Sequence, residues 1–421
     1  MRRLTAIAGA LMALAACTQQ ESRITAPGPG LTGPKSDSSG AATEVESETS
    51  SDLWARIITG ETGPGSSYAL YLPRQWNGAA VFYAHGIRDV LDPVGLQDQD
   101  GYSAIRDQLG ALGYAVAYSS FSENGFAVED AARRTHQLRG LFASRFGQPT
   151  RSFLLGHSLG ALAVMKLAEQ FPEQYDGAVP VCGIVGGTQL QLDYVVNVRA
   201  LFDHFYPGIL PGSPSEPVPG YVMDLAKRNQ IISTVSGNPL GMLVIASTAQ
   251  TPLEFTTPAQ LVESLLNALV YHTRGADNVL TFVNGKFPVS NVGVAYKPRD
   301  GFIVPPLNFP TVSAILGGVN LQIPRFEADP SAAEWAAKNF TPSGALRIPT
   351  ITLHNRWDRL VPSFHEDTLA KRVSDSGATN LLVQRRNQAW GYGHCAIPAA
   401  AQVQAITDLA SWVETGIKPN N

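Results

Sequence analysis

The sequence is poor in charged residues, which make up 16% of its 421 residues, against about 25% in an average soluble protein. It also lacks an excess of basic residues, since 31 Lys and Arg face 35 Asp and Glu and the formal net charge is −4. Nucleic-acid binding needs clustered Lys and Arg that neutralise phosphates, so this class of function is excluded. Because 44% of the residues are hydrophobic, we expect a folded protein with a weakly charged surface.

Other absences narrow the function further. The sequence has no H-E-x-x-H motif and no paired metal-ligand spacing, so we expect neither a catalytic metal nor another cofactor. It has no repeat of about 20 to 50 residues, which excludes solenoids and propellers. No heptad pattern is present, so a monomer is the expected state.

The first residues form a short export signal. Two arginines precede the apolar run Leu4 to Leu14, which is too short to span a bilayer and ends in small residues. The apolar run ends in Leu14-Ala15-Ala16-Cys17, which resembles the bacterial lipobox, in which the Cys becomes acylated. We therefore expect residues 1–17 to be a lipoprotein signal with Cys17 as the lipidated residue. Thr rather than Asp follows Cys17, which favours the outer membrane; an ordinary secreted protein with an incidental Cys is the alternative.

The next segment and the remaining cysteines fit an exported protein. Residues 18–51 are rich in Ser, Gly, Thr, Pro and Glu, so they predict a flexible tether. No later run is apolar enough to cross a membrane, so the lipid is the only membrane contact that we expect. Apart from Cys17, the chain contains Cys182 and Cys395, an even pair in an oxidising compartment. A disulfide is the leading interpretation, and two buried thiols are the alternative.

Short apolar runs alternate with helical segments along most of the chain. An antiparallel hairpin, Leu53 to Glu61 with Ser66 to Leu72, opens the pattern. Runs typical of strands buried on both faces follow at Ala79 to Ala84, Tyr114 to Tyr118, Ser152 to Leu155, Ala178 to Cys182, Pro349 to Leu353 and Asn380 to Gln384. Helical segments lie between them at Tyr102 to Leu112, Val128 to Phe146 and Leu159 to Phe171. This order predicts a parallel sheet covered by helices on both faces.

One stretch breaks the alternation. Residues 186–345 contain turn clusters and capped helices, and the strand–helix rhythm resumes only at Pro349. A stretch of roughly 160 residues is too long for a loop and large enough for a small domain. We therefore expect a cap or lid at 186–345 over a core formed by residues 52–185 and 346–421.

The strongest chemical signal is Gly156-His157-Ser158-Leu159-Gly160, which joins an apolar strand to a helical segment. The turn in such a motif is sharp, so the positions two before and two after the Ser must be small. Both are Gly here. Ser158 would present its hydroxyl at a helix N-terminus, where the helix dipole favours developing negative charge. The motif predicts that Ser158 is a nucleophile.

A serine nucleophile needs a base to take its proton and an acid to orient that base. In the chain order Ser, acid, His, the acid candidate is Asp358, which follows a strand and precedes Val361-Pro362. The base candidate is His394, in a Gly-flanked loop after the last strand. The other histidines lie in helical segments, in the insertion, in the Ser158 motif or before turns.

Three other acidic residues compete with Asp358. Asp193, soon after the preceding strand, is a second acid candidate. Glu366 and Asp367 fall within the next helical segment, and we assign both to its solvated face.

The remaining part of such a site is an oxyanion hole built from two backbone N–H groups. One should be Leu159, next after the nucleophile, and the other Ile87, in the loop His85-Gly86-Ile87. Three aromatic residues in the acid and base loops are candidates for contact with an acyl or aryl group, with core filling as the alternative: Trp357, Trp390 and Tyr392.

These motifs together resemble the α/β-hydrolase superfamily: His85-Gly86, the Ser158 motif, Asp358 with Val361-Pro362, and Gly393-His394. The resemblance implies a mostly parallel eight-stranded sheet with helices on both faces and a large cap between strands six and seven, where the insertion falls. A Ser nucleophile rather than Asp argues against haloalkane dehalogenases and epoxide hydrolases.

The His394-Cys395 pair is similar to an arrangement in tannases and feruloyl esterases, in which a disulfide joins the neighbours of the catalytic His and Ser. Here His157 rather than Cys precedes Ser158. Cys182 ends the strand that follows the Ser158 helix and could supply an analogous link. We therefore expect a Cys182–Cys395 disulfide that holds the His394 loop against the sheet.

The resulting expectation is a serine hydrolase that cleaves carboxylic esters through an acyl-enzyme. The weakly charged surface and the Phe, Tyr and Leu residues of the insertion favour an apolar or aromatic, small-molecule or polymeric ester substrate. An amidase or peptidase with the same three residues is the alternative, and a non-catalytic binding lipoprotein is a remote one.

Overall fold

The computed structural model describes residues 46–420 except 100, 253–263, 265, 267–268, 270–274, 300, 302 and 388. The export signal, Cys17 and most of the expected tether therefore lie outside the described residues. Within them, the chain forms a nine-stranded sheet in the order β1-β2-β3-β5-β4-β6-β7-β8-β9. The strands are β1 (Ser47–Thr49), β2 (Trp54–Glu61), β3 (Ser67–Pro73), β4 (Ala79–Ala84), β5 (Ala115–Ser119), β6 (Arg151–His157), β7 (Gly177–Val181), β8 (Thr350–Asn355) and β9 (Leu382–Asn387).

The described α-helices divide into two groups. Those of the core are α1 (Tyr102–Ala111), α2 (Val128–Phe146), α3 (Leu159–Gln170), α10 (Phe364–Asp375) and α11 (Ala399–Thr415). Those between β7 and β8 are α4 (Thr188–Phe205), α5 (Leu225–Gly237), α6 (Pro239–Ala249), α7 (Gly275–Leu280), α8 (Phe309–Gln322) and α9 (Pro330–Lys338).

The sheet is mostly parallel and is covered on both faces. The pairs β1/β2, β2/β3 and β3/β5 are antiparallel, whereas the pairs from β5 through β4, β6, β7 and β8 to β9 are parallel. Phe82 of β4 packs in one cluster with residues of α2 and α3, and its neighbour Val81 packs in another with residues of α1 and α11. Alternate side chains thus enter opposite layers. The expected fold class, α/β with a mostly parallel sheet and helices on both faces, is confirmed.

The sheet has nine strands where eight were expected, because Ser47–Thr49 pairs with the outer edge of β2. This strand lies inside the segment 18–51 that its composition assigned to a tether. All three residues are exposed, so no apolar pattern marks them. The strand joins the sheet through its backbone pairing with β2, and two exposed ion pairs lie beside it: the Arg56 guanidinium contacts Glu48 at 2.5 Å, and Arg145 contacts Glu46 at 2.5 Å.

The insertion lies between β7 and β8, at the predicted place, and contacts the core near the carboxyl ends of the parallel strands. The Gln191 amide of α4 donates to the Leu360 carbonyl (2.9 Å), and the Val90 N–H donates to Asn278 Oδ1 of α7 (2.9 Å). In the described part of the chain no single helix is long and apolar enough to cross a membrane, and the bent pair α5 and α6 meets that test only jointly, by length and composition.

A close backbone contact joins β4 to the first turn of α3. A Cβ atom added to Gly160 would overlap the backbone carbonyls of Ala84 and His85. Gly160 therefore lets the helix begin directly against the end of β4, which brings the two loops after β4 and β6 together.

We expect Gly160→Ala to lower the free energy of unfolding by about 1–3 kcal/mol, because the added methyl group overpacks the β4–α3 contact. Gly140→Ala is the matched control, since Gly140 also lies in a helix but has no atom within 4 Å of an added Cβ. We expect that variant to gain about 0.5–1 kcal/mol. Urea unfolding followed by circular dichroism measures both; equal stability of the two variants would contradict the packing described here.

Candidate active site

Ser158 occupies a strained turn between β6 and α3. Its backbone φ is 53° and ψ is −114°, a conformation that residues with a β-carbon rarely adopt. The turn is held by a hydrogen bond from the Ser158 N–H to the Val181 carbonyl at 2.9 Å. A Cβ on Gly156 would overlap the backbone of Gly160, so both small positions of the motif are required. Ser158 is 5% exposed and stands at the helix N-terminus.

The structure brings Ser158, His394 and Asp358 into one hydrogen-bonded chain. His394 Nε2 lies 2.8 Å from Ser158 Oγ, and His394 Nδ1 lies 2.8 Å from Asp358 Oδ2. When Nδ1–H donates to the carboxylate, Nε2 is free to accept the Ser158 proton. Asp193, the second acid candidate, lies on α4 and accepts from Gln189 instead.

Asp358 is fully buried in the turn after β8. Its Oδ1 atom accepts from the N–H groups of Leu360 (3.1 Å) and Val361 (2.9 Å), and Oδ2 faces His394. Two main-chain donors on one oxygen prevent the carboxylate from rotating. This turn after β8, which contains Asp358 and which we call the acid turn, therefore sets the orientation of the imidazole.

Glu366 is fully buried, so its assignment to the solvated face of a helix is wrong. Its Oε2 atom accepts from Thr352 Oγ1 (2.5 Å) and Gln384 Nε2 (2.6 Å), whose residues lie on β8 and β9. The first turn of α10 packs on these two strands, and Glu366 lies on the packed side. Asp367, the next residue, is exposed as expected.

Glu366 faces a second histidine beneath the acid turn. Its Oε1 atom lies 3.7 Å from His354 Nδ1, and His354 Nε2–H donates to the Val361 carbonyl at 2.8 Å. Because the Val361 N–H donates to Asp358, this buried pair supports the turn that holds the acid. Burial opposes a charge on His354, but the negative charge of the nearby Glu366 carboxylate raises its pKa above the usual value of 6.5.

The two expected oxyanion donors follow neighbouring parallel strands. Ala84 of β4 pairs with Gly156 of β6, and the chain reaches Ile87 and Leu159 three residues beyond each. Among the described residues, neither the Ile87 N–H nor the Leu159 N–H donates to a protein acceptor. Both groups are thus available at the same edge of the sheet as Ser158.

Side chains hold the peptide groups around Ile87. The Gly86 carbonyl lies 2.6 Å from His85 Nδ1, and the Ile87 carbonyl accepts from Gln99 Nε2 at 3.1 Å. The Gly86 carbonyl and the Ile87 N–H belong to one planar trans peptide, so holding one directs the other. Burial and the charge of Arg88 lower the pKa of His85 to about 3, so its ring is neutral at neutral pH.

Cys182 and Cys395 form the expected disulfide, with Cα atoms 5.2 Å apart and a sequence separation of 213. Cys182 follows β7, and Cys395 follows His394 in the loop between β9 and α11, which we call the base loop. The bond therefore ties the base loop to the sheet beside Ser158. Within the described residues, the atoms of Cys182, His394 and Cys395 lie within 4.8 Å of one another, a spacing that could hold a metal. Because the two sulfurs are bonded to each other, they do not offer thiolates to an ion.

The three aromatic candidates occupy two different environments. Trp357 and Tyr392 stack on each other with ring centroids 5.6 Å apart, and the guanidinium groups of Arg356 and Arg359 lie over Trp357 and Tyr392 respectively. Tyr392 remains 36% exposed. Trp390 packs against the hydrophobic cluster that contains Cys395, which corresponds to the core-filling alternative.

Two buried amides near the site were not singled out from the sequence. Gln402 of α11 accepts from His157 Nε2–H at 2.7 Å and donates to the Ile397 carbonyl at 3.0 Å, which links the Ser158 turn to the base loop. Asn355, at the end of β8, donates to two carbonyls of the base loop, those of Gly391 and Gly393. An isolated amide in a helix or strand belongs to no motif, so no sequence signal marked either residue.

Comparison with solved structures finds several esterases with low sequence identity. The chain is similar to an esterase from Aspergillus oryzae (TM-score 0.46, 15% identity, covering 86% of this chain and 80% of that one). It is also similar to feruloyl esterase B from Aspergillus oryzae (TM-score 0.46, 15% identity, 86% and 81%). A third is the rice cell wall degrading esterase LipA from Xanthomonas oryzae (TM-score 0.40, 15% identity, 85% and 88%). No protein-family model and no curated protein matches the chain.

Removing the disulfide should destabilise the fold, because the bond closes a long loop in the unfolded chain. We expect the double variant Cys182→Ser/Cys395→Ser to lose about 2–4 kcal/mol of unfolding free energy. Urea unfolding of the oxidised protein and the double variant measures the difference. A reductant should lower the melting temperature of the wild type and leave that of the double variant unchanged. Unchanged stability and activity of the reduced wild type would contradict this role of the disulfide.

The raised pKa of His354 predicts a pH-dependent contribution to stability. A histidine whose pKa is higher in the folded state contributes fully below its unfolded pKa, and the contribution is lost as the pH rises through the folded pKa. His354→Gln keeps a donor for the Val361 carbonyl and removes the charge. The stability difference between wild type and this variant should therefore shrink as the pH rises above about 6.5. Thermal melts across this range test it, and a difference that grows with pH would refute the assignment.

Proposed function

We propose that the protein is a serine hydrolase that cleaves carboxylic esters. The observation that carries the proposal is the continuous hydrogen-bonded chain from Ser158 Oγ through His394 to Asp358 Oδ2, with both links at 2.8 Å. Each group has the environment that its role needs: the serine on a strained turn, the imidazole 21% exposed and the carboxylate fully buried.

The reaction proceeds in two halves. Ser158 Oγ attacks the ester carbonyl while His394 Nε2 takes the hydroxyl proton, and the imidazolium is stabilised by Asp358. The N–H groups of Leu159 and Ile87 hold the oxyanion of the tetrahedral intermediate. His394 then returns the proton to the leaving alcohol, which leaves an acyl-enzyme. Water, deprotonated by His394, attacks the acyl group and restores Ser158 with release of the acid.

The surroundings of the site favour an ester with an apolar or aromatic group. Ser158 is only 5% exposed, and the insertion contacts both the acid turn and the loop after β4. Trp357 and Tyr392 border His394 and offer aromatic surface to a substrate. The three residues do not discriminate between ester and amide, so an amidase or peptidase is the second candidate.

We also propose export with an N-terminal lipid on Cys17. The lipobox-like sequence supports lipidation, and the disulfide supports an oxidising compartment. Labelling of cells with an alkyne fatty acid, followed by capture of wild type and Cys17→Ala, tests this part separately from the chemistry.

Labelling with a fluorophosphonate, read by intact mass, tests the nucleophile. We expect one adduct on the wild type and none on Ser158→Ala. Asp358→Asn should lower ester turnover about 10⁴-fold, because the carboxylate no longer orients the correct imidazole tautomer. Asp193→Asn, which changes an acid outside the hydrogen-bonded chain, is the matched control and should keep near wild-type turnover.

Substrate comparison separates the candidates. Hydrolysis of p-nitrophenyl esters from acetate to palmitate should exceed hydrolysis of the matched anilide, and the chain-length optimum should report the size of the acyl site. Faster anilide turnover would favour the amidase. A wild type that neither labels nor turns over any ester would refute the catalytic proposal in favour of the non-catalytic binding protein.

A further inference from the structure

Asn355 connects the end of β8 to the base loop by two hydrogen bonds. It is the last residue of β8 and is fully buried. Its Nδ2 group donates to the Gly391 carbonyl at 3.1 Å and to the Gly393 carbonyl at 2.8 Å. Both hydrogens of one amide are thus used on the loop that carries His394.

The Gly393 carbonyl belongs to the peptide bond that leads directly into His394. Because that peptide is planar, a hydrogen bond on its carbonyl fixes the plane from which the His394 Cα–Cβ bond leaves the backbone. Gly393 has φ of 100°, a region in which glycine is free to move, so the peptide plane is not fixed by local sterics. The Asn355 amide supplies the constraint that the glycine lacks.

The other attachments of the base loop act at different points. The Gly393 N–H donates to the Trp357 carbonyl at 3.2 Å, and the disulfide holds Cys395 on the far side of His394. Asn355 and Trp357 both belong to the segment that ends in Asp358. The proposed acid and the proposed base are therefore attached to one strand end.

The Asn355 amide lowers the free energy of unfolding, because one of its polar atoms is buried without a partner in the described part of the chain. Asn355 Oδ1 is buried and has no hydrogen-bond partner among the described residues. A buried polar atom left without a partner costs about 1–3 kcal/mol. An aliphatic residue at the end of a buried strand would avoid that cost, so the gain from the amide lies in its two donors.

We propose that Asn355 is a positioning residue for His394, which acts through the Gly391 and Gly393 carbonyls. The inference rests on the proposed function and adds a residue to it. Asn355 does not contact the reacting atoms; it sets the direction from which His394 Nε2 meets Ser158 Oγ and the leaving group.

The test compares two esters of one acid in Asn355→Ala. A p-nitrophenolate leaves without protonation, whereas an ethoxide leaving group needs the proton that His394 delivers. We expect kcat/KM, which reports the acylation step in which the alcohol leaves, to fall about 10-fold for the p-nitrophenyl ester and about 100-fold for the ethyl ester. An unfolded or inactive fraction would lower both rates equally, so the change in their ratio separates positioning from a structural defect.

Asn387→Ala is the matched control. Asn387 is paired with Asn355 across β8 and β9, is exposed, and donates nothing to the base loop among the described residues. We expect it to keep the wild-type ratio. If Asn355→Ala does not fold, Asn355→Asp keeps the side-chain volume and replaces the donor Nδ2 with an oxygen. The rate for the ethyl ester divided by the rate for the p-nitrophenyl ester should then fall as well.

The outcomes separate this inference from the proposed function. A wild type that does not react with fluorophosphonate and cleaves neither ester means that the proposed function has failed, whatever Asn355 does. An active wild type with a folded Asn355 variant that retains the wild-type ratio of the two rates overturns the positioning role alone.

Discussion

The constraint on which the site depends is the close approach of β4 to the first turn of α3. Gly160 carries no side chain that would overlap the Ala84 and His85 carbonyls, and Gly156 carries none that would overlap the Gly160 backbone. Between them Ser158 has a φ of 53°, and the helix starts at Leu159, whose N–H has no acceptor in the described protein. The proposed nucleophile and one proposed oxyanion donor thus both lie at this turn, at the N-terminus of α3.

The proposed base, His394, and the proposed acid, Asp358, are each held by attachment at several points. His394 lies in a loop without regular structure, so nothing local orients it. The disulfide, the Asn355 amide and Gln402 each tie this loop to a different buried element. Asp358 is fixed by its own turn, and that turn rests on the buried His354–Glu366 pair.

The reasoning from sequence succeeded where the signal was local. The apolar run at Ala79–Ala84 and the helix Val128–Phe146 have the bounds that their patterns indicated, because burial on both faces and amphipathic spacing are written in consecutive residues. It failed at two places where no apolar pattern marks the packed residues. Ser47–Thr49 is entirely exposed and joins the sheet through backbone pairing with β2, and Glu366 is a carboxylate on the packed side of its helix, which composition assigns to solvent.

By itself, the sequence determined the alternation of strands and helices, the sharp turn at Ser158 and the order in which nucleophile, acid and base follow, since each depends on residues close together in the chain. Only the tertiary structure decided which side chains support them. His157 and Gln402 are 245 residues apart, and Asn355 reaches the base loop from another strand. Such contacts have no sequence pattern, because a buried hydrogen bond depends on where two distant backbones meet and not on what surrounds either residue in the chain.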